Sequence, residues 1–226
     1  MGSTKETETR MKKNNITLLI PDKGNTFQLS LLYGTLLGDA YLYPHNGIIQ
    51  IEQSLGHKEY LFWLFGKLKT LTTGKPPSLV TRTDRRTGKE TQSYRFYTRA
   101  FFHEWRPHFY SFDGVKKLPD NFENDIDPVS LLIWFMDDGG KSTGVKMGVF
   151  YTLDNYSQYD IELFKHLLWA RFRIVSHIHR SGQSKSGRVQ KRLSITGKDC
   201  VLFYNIINPV LNCIPPFVLK CFPKFS

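Results

Sequence analysis

The sequence predicts an α+β protein built from two pseudo-symmetric αββαββα repeats, and three observations lead there. An apolar segment ending in an acid, Leu31-Leu32-Tyr33-Gly34-Thr35-Leu36-Leu37-Gly38-Asp39, recurs as Ser130-Leu131-Leu132-Ile133-Trp134-Phe135-Met136-Asp137-Asp138, an offset of 99 residues. A β-like stretch follows each copy, Ile48 to Glu52 and Met147 to Tyr151, again 99 apart. Later landmarks then repeat in the same order: Phe101-Phe102 with Pro107 becomes Phe203-Tyr204 with Pro209, and Lys116-Lys117-Leu118-Pro119 becomes Lys220-Cys221-Phe222-Pro223. The offset drifts to 104, as loop insertions would cause.

Residues 1–15 are polar, of mixed charge and without apolar period, which predicts a flexible tail. The first repeat then runs over 16–120, a linker over 121–127 and the second repeat over 128–226. Within the first repeat, the motif helix and its strand lead to an amphipathic helix from Lys58 to Leu71. A hairpin of strands around 79–83 and 93–98 follows, turning at Gly88. In the second repeat Asp127-Pro128 supplies an N-cap acid with Pro at the first helical position, and Gly139-Gly140 stops the helix. A helix from Tyr159 to Phe172 and strands over 174–180 and 189–196 complete the pattern, with Gly182 and Gly187 marking turns.

Each motif helix therefore ends in an acid, Asp39 or Asp138. That is the unfavourable end of the helix dipole for a carboxylate, by about 0.3–1 kcal/mol. Two such helices side by side would also bring the acids together, a repulsion of about 4 kcal/mol at ~4 Å and an effective dielectric of ~20. One such acid reads as a solvated loop residue; a symmetric pair reads as a site for a cation between them. Hard oxygen ligands suit Mg²⁺ better than zinc. Gly34 and Gly38, four apart, predict close approach of another backbone along one helix face, since mid-helix glycine otherwise costs about 1 kcal/mol.

The chain carries 31 Lys and Arg against 20 Asp and Glu, a net charge of +11, which favours a polyanionic partner, nucleic acid before an anionic membrane surface. Hydrophobic residues at 40% exclude a disordered basic tail as the whole molecule. The apolar run Leu131 to Met136 is too short to cross a bilayer. Three cysteines, Cys200, Cys213 and Cys221, fit neither a disulfide framework nor a zinc pattern and suggest a reducing, intracellular setting. The charge is concentrated: the stretch Leu79 to Arg99 has net +4 and Arg171 to Lys198 net +8, leaving the remainder essentially neutral. Strand alternation puts Arg95, Tyr97 and Arg99 on one face, and a two-stranded ribbon fits the major groove. The side chains expected on DNA are Arg82, Arg85, Arg86, Lys89, Arg95, Tyr97, Arg99, His177, His179, Arg180, Lys185, Arg188, Gln190 and Arg192. His177-x-His179 also suggests a metal pair, but it has no third ligand in register, so groove contact is the preferred reading.

The two motifs, Leu32 to Ala40 and Leu131 to Gly139, resemble the two copies of the LAGLIDADG motif. The chain from about residue 28 to 226 is similar to single-chain, two-repeat LAGLIDADG homing endonucleases of the kind encoded in organellar introns. The resemblance implies that the motif helices pack at a pseudo-twofold axis beneath two antiparallel DNA-binding sheets that form a saddle. It implies divalent metal at Asp39 and Asp138 with the neighbouring Ala40 and Gly139, the metal being Mg²⁺, with Mn²⁺ or Ca²⁺ able to substitute for binding. Basic residues near each half's end, Lys116 (with Lys117 a rival) and Lys220, would help activate water, and Gln50 or Gln53 would support the water network. Asp137 competes with Asp138, and only the repeat register favours the latter. Leu153-Asp154-Asn155 stands near the Gln53 position, so an asymmetric support network is expected.

The function expected is site-specific cleavage of both strands of a long asymmetric DNA duplex by a monomer, in support of intron homing, in a mitochondrion or chloroplast and without membrane association. The rival reading is an intron maturase of the same fold, which binds intron RNA without cutting DNA. A non-catalytic DNA-binding module and a two-carboxylate glycosidase are further readings, and the second leaves the basic hairpins unexplained.

Overall fold

The computed structural model describes residues 10–13, 16–19, 26–142, 147–183 and 189–225. A short hairpin pairs β1 (Arg10–Lys13), within the expected tail, with β2 (Ile16–Leu19), at the start of the expected first repeat, and residues 1–9 and 14–15 of that tail lie outside the described residues. The first repeat comprises α1 (Thr26–Leu37), β3 (Tyr41–Leu42), β4 (Ile49–Ser54), α2 (Lys58–Leu68), β5 (Ser78–Thr83), β6 (Glu90–Tyr97) and α3 (Arg106–Phe109). A helical turn, α4 (Phe122–Asp125), occupies the linker. The second repeat comprises α5 (Pro128–Asp138), β7 (Gly139–Lys141), β8 (Gly148–Thr152), α6 (Gln158–Phe172), β9 (His177–Gln183), β10 (Val189–Thr196), α7 (Gly197–Leu211) and α8 (Pro216–Leu219). The two antiparallel sheets have matching orders, β3-β4-β6-β5 and β7-β8-β10-β9, each beginning where a motif helix ends.

Helices α1 and α5 pack against each other at the centre. From Gln28 to Leu37 every residue of α1 is buried, as is Ser130 to Met136 of α5, which is why both read as apolar on all sides. Asp127 caps α5 as expected: its carboxylate accepts from the Ser130 amide at 2.7 Å, and its other oxygen accepts from Ser30 of α1. The glycines of α1 meet the bulkier residues of α5. A Cβ on Gly34 would lie 2.7 Å from Ile133 Cβ, and one on Gly38 would lie 2.5 Å from Asp137 Cβ. The contact is thus close because small residues of one helix face large ones of the other, and its two sides are unlike.

Burial fixes the strand register. Ile49 and Ile51 of β4 face the core, as do Val149 and Tyr151 of β8, so these strands correspond at an offset of 100 rather than the expected 99. Three further differences are local. Gly182 lies inside β9 at φ 143°, opposite a register shift between Gln190 and Lys191, so it serves a bulge rather than a turn. Strand β9 starts at His177 rather than 174. Strand β6 ends at Tyr97, and Arg99 lies beyond it with its Nε on the Thr72 carbonyl at 2.9 Å, off the face of Arg95 and Tyr97. The turn expected at Gly187 lies outside the described residues. No helix among the described residues is long and apolar enough to cross a membrane, and all three cysteines are free.

The end of each repeat crosses to the other half. Leu118 donates its amide to Asp160 of α6 at 2.9 Å, and Phe222 stacks on His57 at 4.6 Å and meets the Tyr60 ring of α2 edge-on at 5.0 Å.

The three atoms nearest a Cβ on Gly38 all belong to Asp137. Gly38→Ala should therefore cost about 1–3 kcal/mol in denaturant unfolding, and most of that cost should vanish in an Asp137→Gly background. Equal costs in both backgrounds would show that this contact does not set the helix spacing.

Candidate nuclease centre and nucleic-acid interface

Three carboxylates meet where α1 and α5 end. Asp137 turns into the helix interface, where Oδ2 accepts from the Asp39 amide at 3.3 Å and Oδ1 accepts from the Tyr60 hydroxyl at 3.1 Å. Gln53 ties two of the acids together: its Nε2 donates to Asp39 Oδ2 at 3.0 Å and to Asp137 Oδ1 at 3.1 Å. Its Oε1 lies 3.3 Å from His57 Nδ1. Asp138 instead accepts from the Trp134 indole at 3.1 Å. Burial, then Asp39 and Asp138, pushes the Asp137 carboxyl well above the usual carboxylate range. Burial, then Asp39, raises Asp138 to about 7, against the opposing pull of Lys116. The cluster is electrostatically uncomfortable without added positive charge.

Two lysines supply part of that charge, at the carbonyl-rich ends of the motif helices. Lys116 Nζ donates to Gly38 O at 2.5 Å and Ala40 O at 3.4 Å. Lys224 Nζ donates to Phe135 O at 2.5 Å, Met136 O at 2.8 Å and Gly139 O at 2.6 Å. Burial lowers Lys116 below its ordinary value and takes Lys224 down to about 8, with the acids opposing both shifts.

Each sheet has a face turned away from the core. On the first, cross-strand partners place Gln50 beside Tyr97, and Glu52 beside Arg95. Arg82 of β5 reaches the same face, where its guanidinium holds Glu52 with one bond at 2.9 Å and a shorter second, and donates to Ser93 at 3.1 Å. That hydrogen bonding with Arg82 is the leading cause holding the Glu52 carboxyl below its usual range. Arg85, Arg86 and Lys89 are exposed in the β5–β6 turn. On the second sheet, Arg192 pairs with His179 and Thr152, and its guanidinium lies 4.3 Å over the Phe150 ring. His177 and His179 share this face, their rings 6.4 Å apart. Arg180 pairs with Lys191 and points to the other side, where both line a cavity of about 740 Å³ with Asp154 and Tyr156. Gln190 stands at the bulge, opposite Gly182, and Lys185 and Arg188 lie outside the described residues.

A family model for LAGLIDADG DNA endonucleases matches residues 29–203, most of the chain. The chain belongs to that family. A cytochrome b mRNA maturase, bI2, of Debaryomyces hansenii is 30% identical over 68% of this chain, which spans 60% of that protein's length. A protein named "Probable intron-encoded endonuclease 1" from Wickerhamomyces canadensis is 28% identical over 81% of this chain and 80% of its own. Among solved structures, the homing endonuclease I-WcaI bound to its DNA recognition sequence superposes with a TM-score of 0.72 at 24% identity, covering 87% of this chain and 85% of that one, which confirms the fold.

In this LAGLIDADG chain the structure brings together Asp39, Asp138, Lys116, Ala40 and Gly139. It does not bring Gln50 or Lys220 to them. Gln50 faces the open side of β4, accepting from Tyr43 at 2.8 Å and donating to Glu52 at 3.1 Å, while Gln53 reaches the acids. Lys220 is exposed at the end of α8, and Lys224, just after Pro223, takes the buried place. Lys117 is turned outward in an ion pair with Asp120 at 3.0 Å. His57, Tyr60 and Trp134 were not expected here. Trp134 lies one helical turn before Asp138 on α5, so helical spacing alone could have found it, whereas His57 follows Gln53 out of strand β4, where no such spacing rule applies.

Removing the buried ammonium leaves three carbonyls without that donor. Lys224→Met should cost about 1–3 kcal/mol in chemical unfolding, whereas Lys220→Met should change stability by under about 0.5 kcal/mol. The reverse ranking would contradict this placement.

Proposed function

We propose that this protein is a site-specific DNA endonuclease that cuts both strands of a long asymmetric duplex, with Asp39 and Asp138 at its centre. The observation that carries the reading is the crowding of Asp39, Asp137 and Asp138 at the ends of the two motif helices, with Asp137 and Asp138 raised in pKa by burial and then by Asp39. Their donor set is hard oxygen, which fits a divalent cation such as Mg²⁺, with Mn²⁺ or Ca²⁺ as substitutes for binding. Among the described residues no group of three or more His, Cys, Asp or Glu is placed to hold a metal ion, so the two carboxylates of Asp39 and Asp138 would need phosphate and water oxygens for the rest of the shell. Asp39 and Asp138 would hold the cation, which when bound offsets charge at the scissile phosphate.

The chain's own residues order the rest. Lys116 and Lys224 place ammonium charge at the helix ends and limit mutual repulsion of the acids. Gln53 fixes the Asp39 carboxylate and carries the link to His57. In hydrolysis a water oxygen bonds to phosphorus as the P–O3′ bond breaks. One water proton ends on the leaving 3′ oxygen, and the other is lost to solvent as the new 5′ phosphate ionises. Arg82, Arg95, Tyr97, His177, His179 and Arg192 stand where a duplex lying across both sheets would be read in its major grooves. We place the protein in an organelle, acting as a monomer.

A second reading has a specific observation in its favour: the 30% identical relative is an mRNA maturase, so intron RNA is the competing or additional partner. Retention of both helix-end acids favours the nuclease.

Cleavable sites selected from a randomised DNA library separate the two readings. Asp39→Asn and Asp138→Asn should each slow cutting of the selected site about 100-fold or more. Binding of the same DNA should weaken with salt, and Arg192→Ala should flatten that slope by about one unit if its guanidinium meets a phosphate. Undiminished cutting by both Asn variants would remove the proposed centre.

A further inference from the structure

Glu52 lies on the open face of the first sheet, where an unpaired carboxylate would repel a duplex. It is instead saturated. Oε1 accepts from Arg82 Nη1 and from the Ser93 hydroxyl at 2.5 Å; Oε2 accepts from Arg82 Nη2 at 2.9 Å and from Gln50 Nε2 at 3.1 Å. A carboxylate has about four lone-pair sites, so Glu52 has none left for a base. Because it only accepts, it also turns the Gln50 amide, whose Oε1 accepts from the Tyr43 hydroxyl at 2.8 Å. One chain of hydrogen bonds thus crosses the face from Tyr43 to Arg82.

The consequence falls on Arg82. One edge of its guanidinium, Nη1 and Nη2, meets the carboxylate, and the other Nη1–H donates to Ser93 at 3.1 Å. Among the described residues nothing else hydrogen-bonds this guanidinium, and the side chain is 52% exposed. Nε–H and the second Nη2–H therefore remain, side by side in one plane, a fork that matches guanine O6 and N7. Arg95, directly across from Glu52, has no such free edge: its Nε is buried, and its guanidinium lies 5.7 Å over the Tyr97 ring. At the offset of 100 the second sheet has Thr152 and Phe150 in the places of Glu52 and Gln50. There Arg192 lies over the Phe150 ring, and no carboxylate among the described residues orients it.

We propose that Glu52 is a positioning residue for base recognition: it presents the free edge of Arg82 to a guanine in the major groove, and so fixes one G·C pair in the half-site under the first sheet. The inference rests on the DNA-binding part of the reading above and does not require cutting. A guanidinium already paired with a carboxylate adds little net charge, so it supplies discrimination rather than general attraction to phosphate.

Duplexes selected by binding from a randomised library in Ca²⁺ read this base by base. Wild type should take guanine at one position of that half-site and reject its replacement by about 10–100-fold. Arg82→Met should remove the preference at that position alone. Glu52→Ala frees the guanidinium for phosphate, so it should relax the same position while steepening the salt dependence of binding by about one unit. Tighter binding with poorer discrimination is a pair of effects that simple loss of fold does not produce. Glu52→Gln keeps the shape but turns an N–H toward the guanidinium, and should act in the same direction if the alanine variant does not fold. In an Arg82→Met background, Glu52→Ala should leave the base preferences as they are. A preference that survives Arg82→Met and is lost on replacing Glu52 would make the acid the reader and overturn the inference. Unchanged preferences in both Glu52 variants, or none in wild type, would overturn it as well. Selected DNA bound with the expected pattern but left uncut in Mg²⁺ would remove the nuclease reading and support this one.

Discussion

Everything distinctive in this molecule depends on how closely α1 and α5 approach. Gly34 and Gly38 leave no side chain on one surface, and Ile133 and Asp137 fill the space from the other. The approach delivers two helix C-termini, with their unsatisfied carbonyls and three carboxylates, to one spot. Such a junction is costly in isolation. It is offset by the buried apolar length of both helices and by two ammonium groups, Lys116 and Lys224, seated on the carbonyls. Stability and chemistry are therefore joined: the residues that make the junction tolerable are also the ones that would surround a scissile phosphate.

The crossing tails follow from the same constraint. A lysine must reach each helix end, and the chain that carries it continues onto the opposite repeat, through Leu118 to Asp160 and through Phe222 to His57 and Tyr60. Neither half holds its own centre together alone. The sheets hang from this junction by their edge strands β3 and β7, so the spacing of the motif helices also sets the spacing of the two open faces.

Much of this was legible in the residues themselves. The duplicated apolar segments, the capped start at Asp127-Pro128, the acids at the helix ends and the basic hairpins are local or repeat-level signals; the first three lie where expected, and the hairpins form with shifted ends. What escaped depends on long-range packing. Lys220 satisfied the repeat spacing, but Lys224 is the lysine that the fold of the last residues carries inward, and spacing cannot report which way a short helix turns. Gln50 and Gln53 differ by three residues in a strand, so they lie on opposite faces; the alternation of Ile49 and Ile51 already contained that answer, and the same alternation separates the registers 99 and 100. Arg99 left the groove face because β6 ended two residues before it, at Tyr97, beyond which the chain bonds to Leu71 and Thr72.

The central claim is that the helix-end acids form a divalent-cation centre for phosphodiester cleavage, and anomalous scattering from Mn²⁺ in crystals of the protein bound to its selected DNA tests it most directly. A peak within about 2.0–2.3 Å of carboxylate oxygens of both Asp39 and Asp138, shared with a phosphate oxygen, is the result expected. Mn²⁺ bound elsewhere on the complex, with both carboxylates left to Gln53 and Trp134, would contradict it.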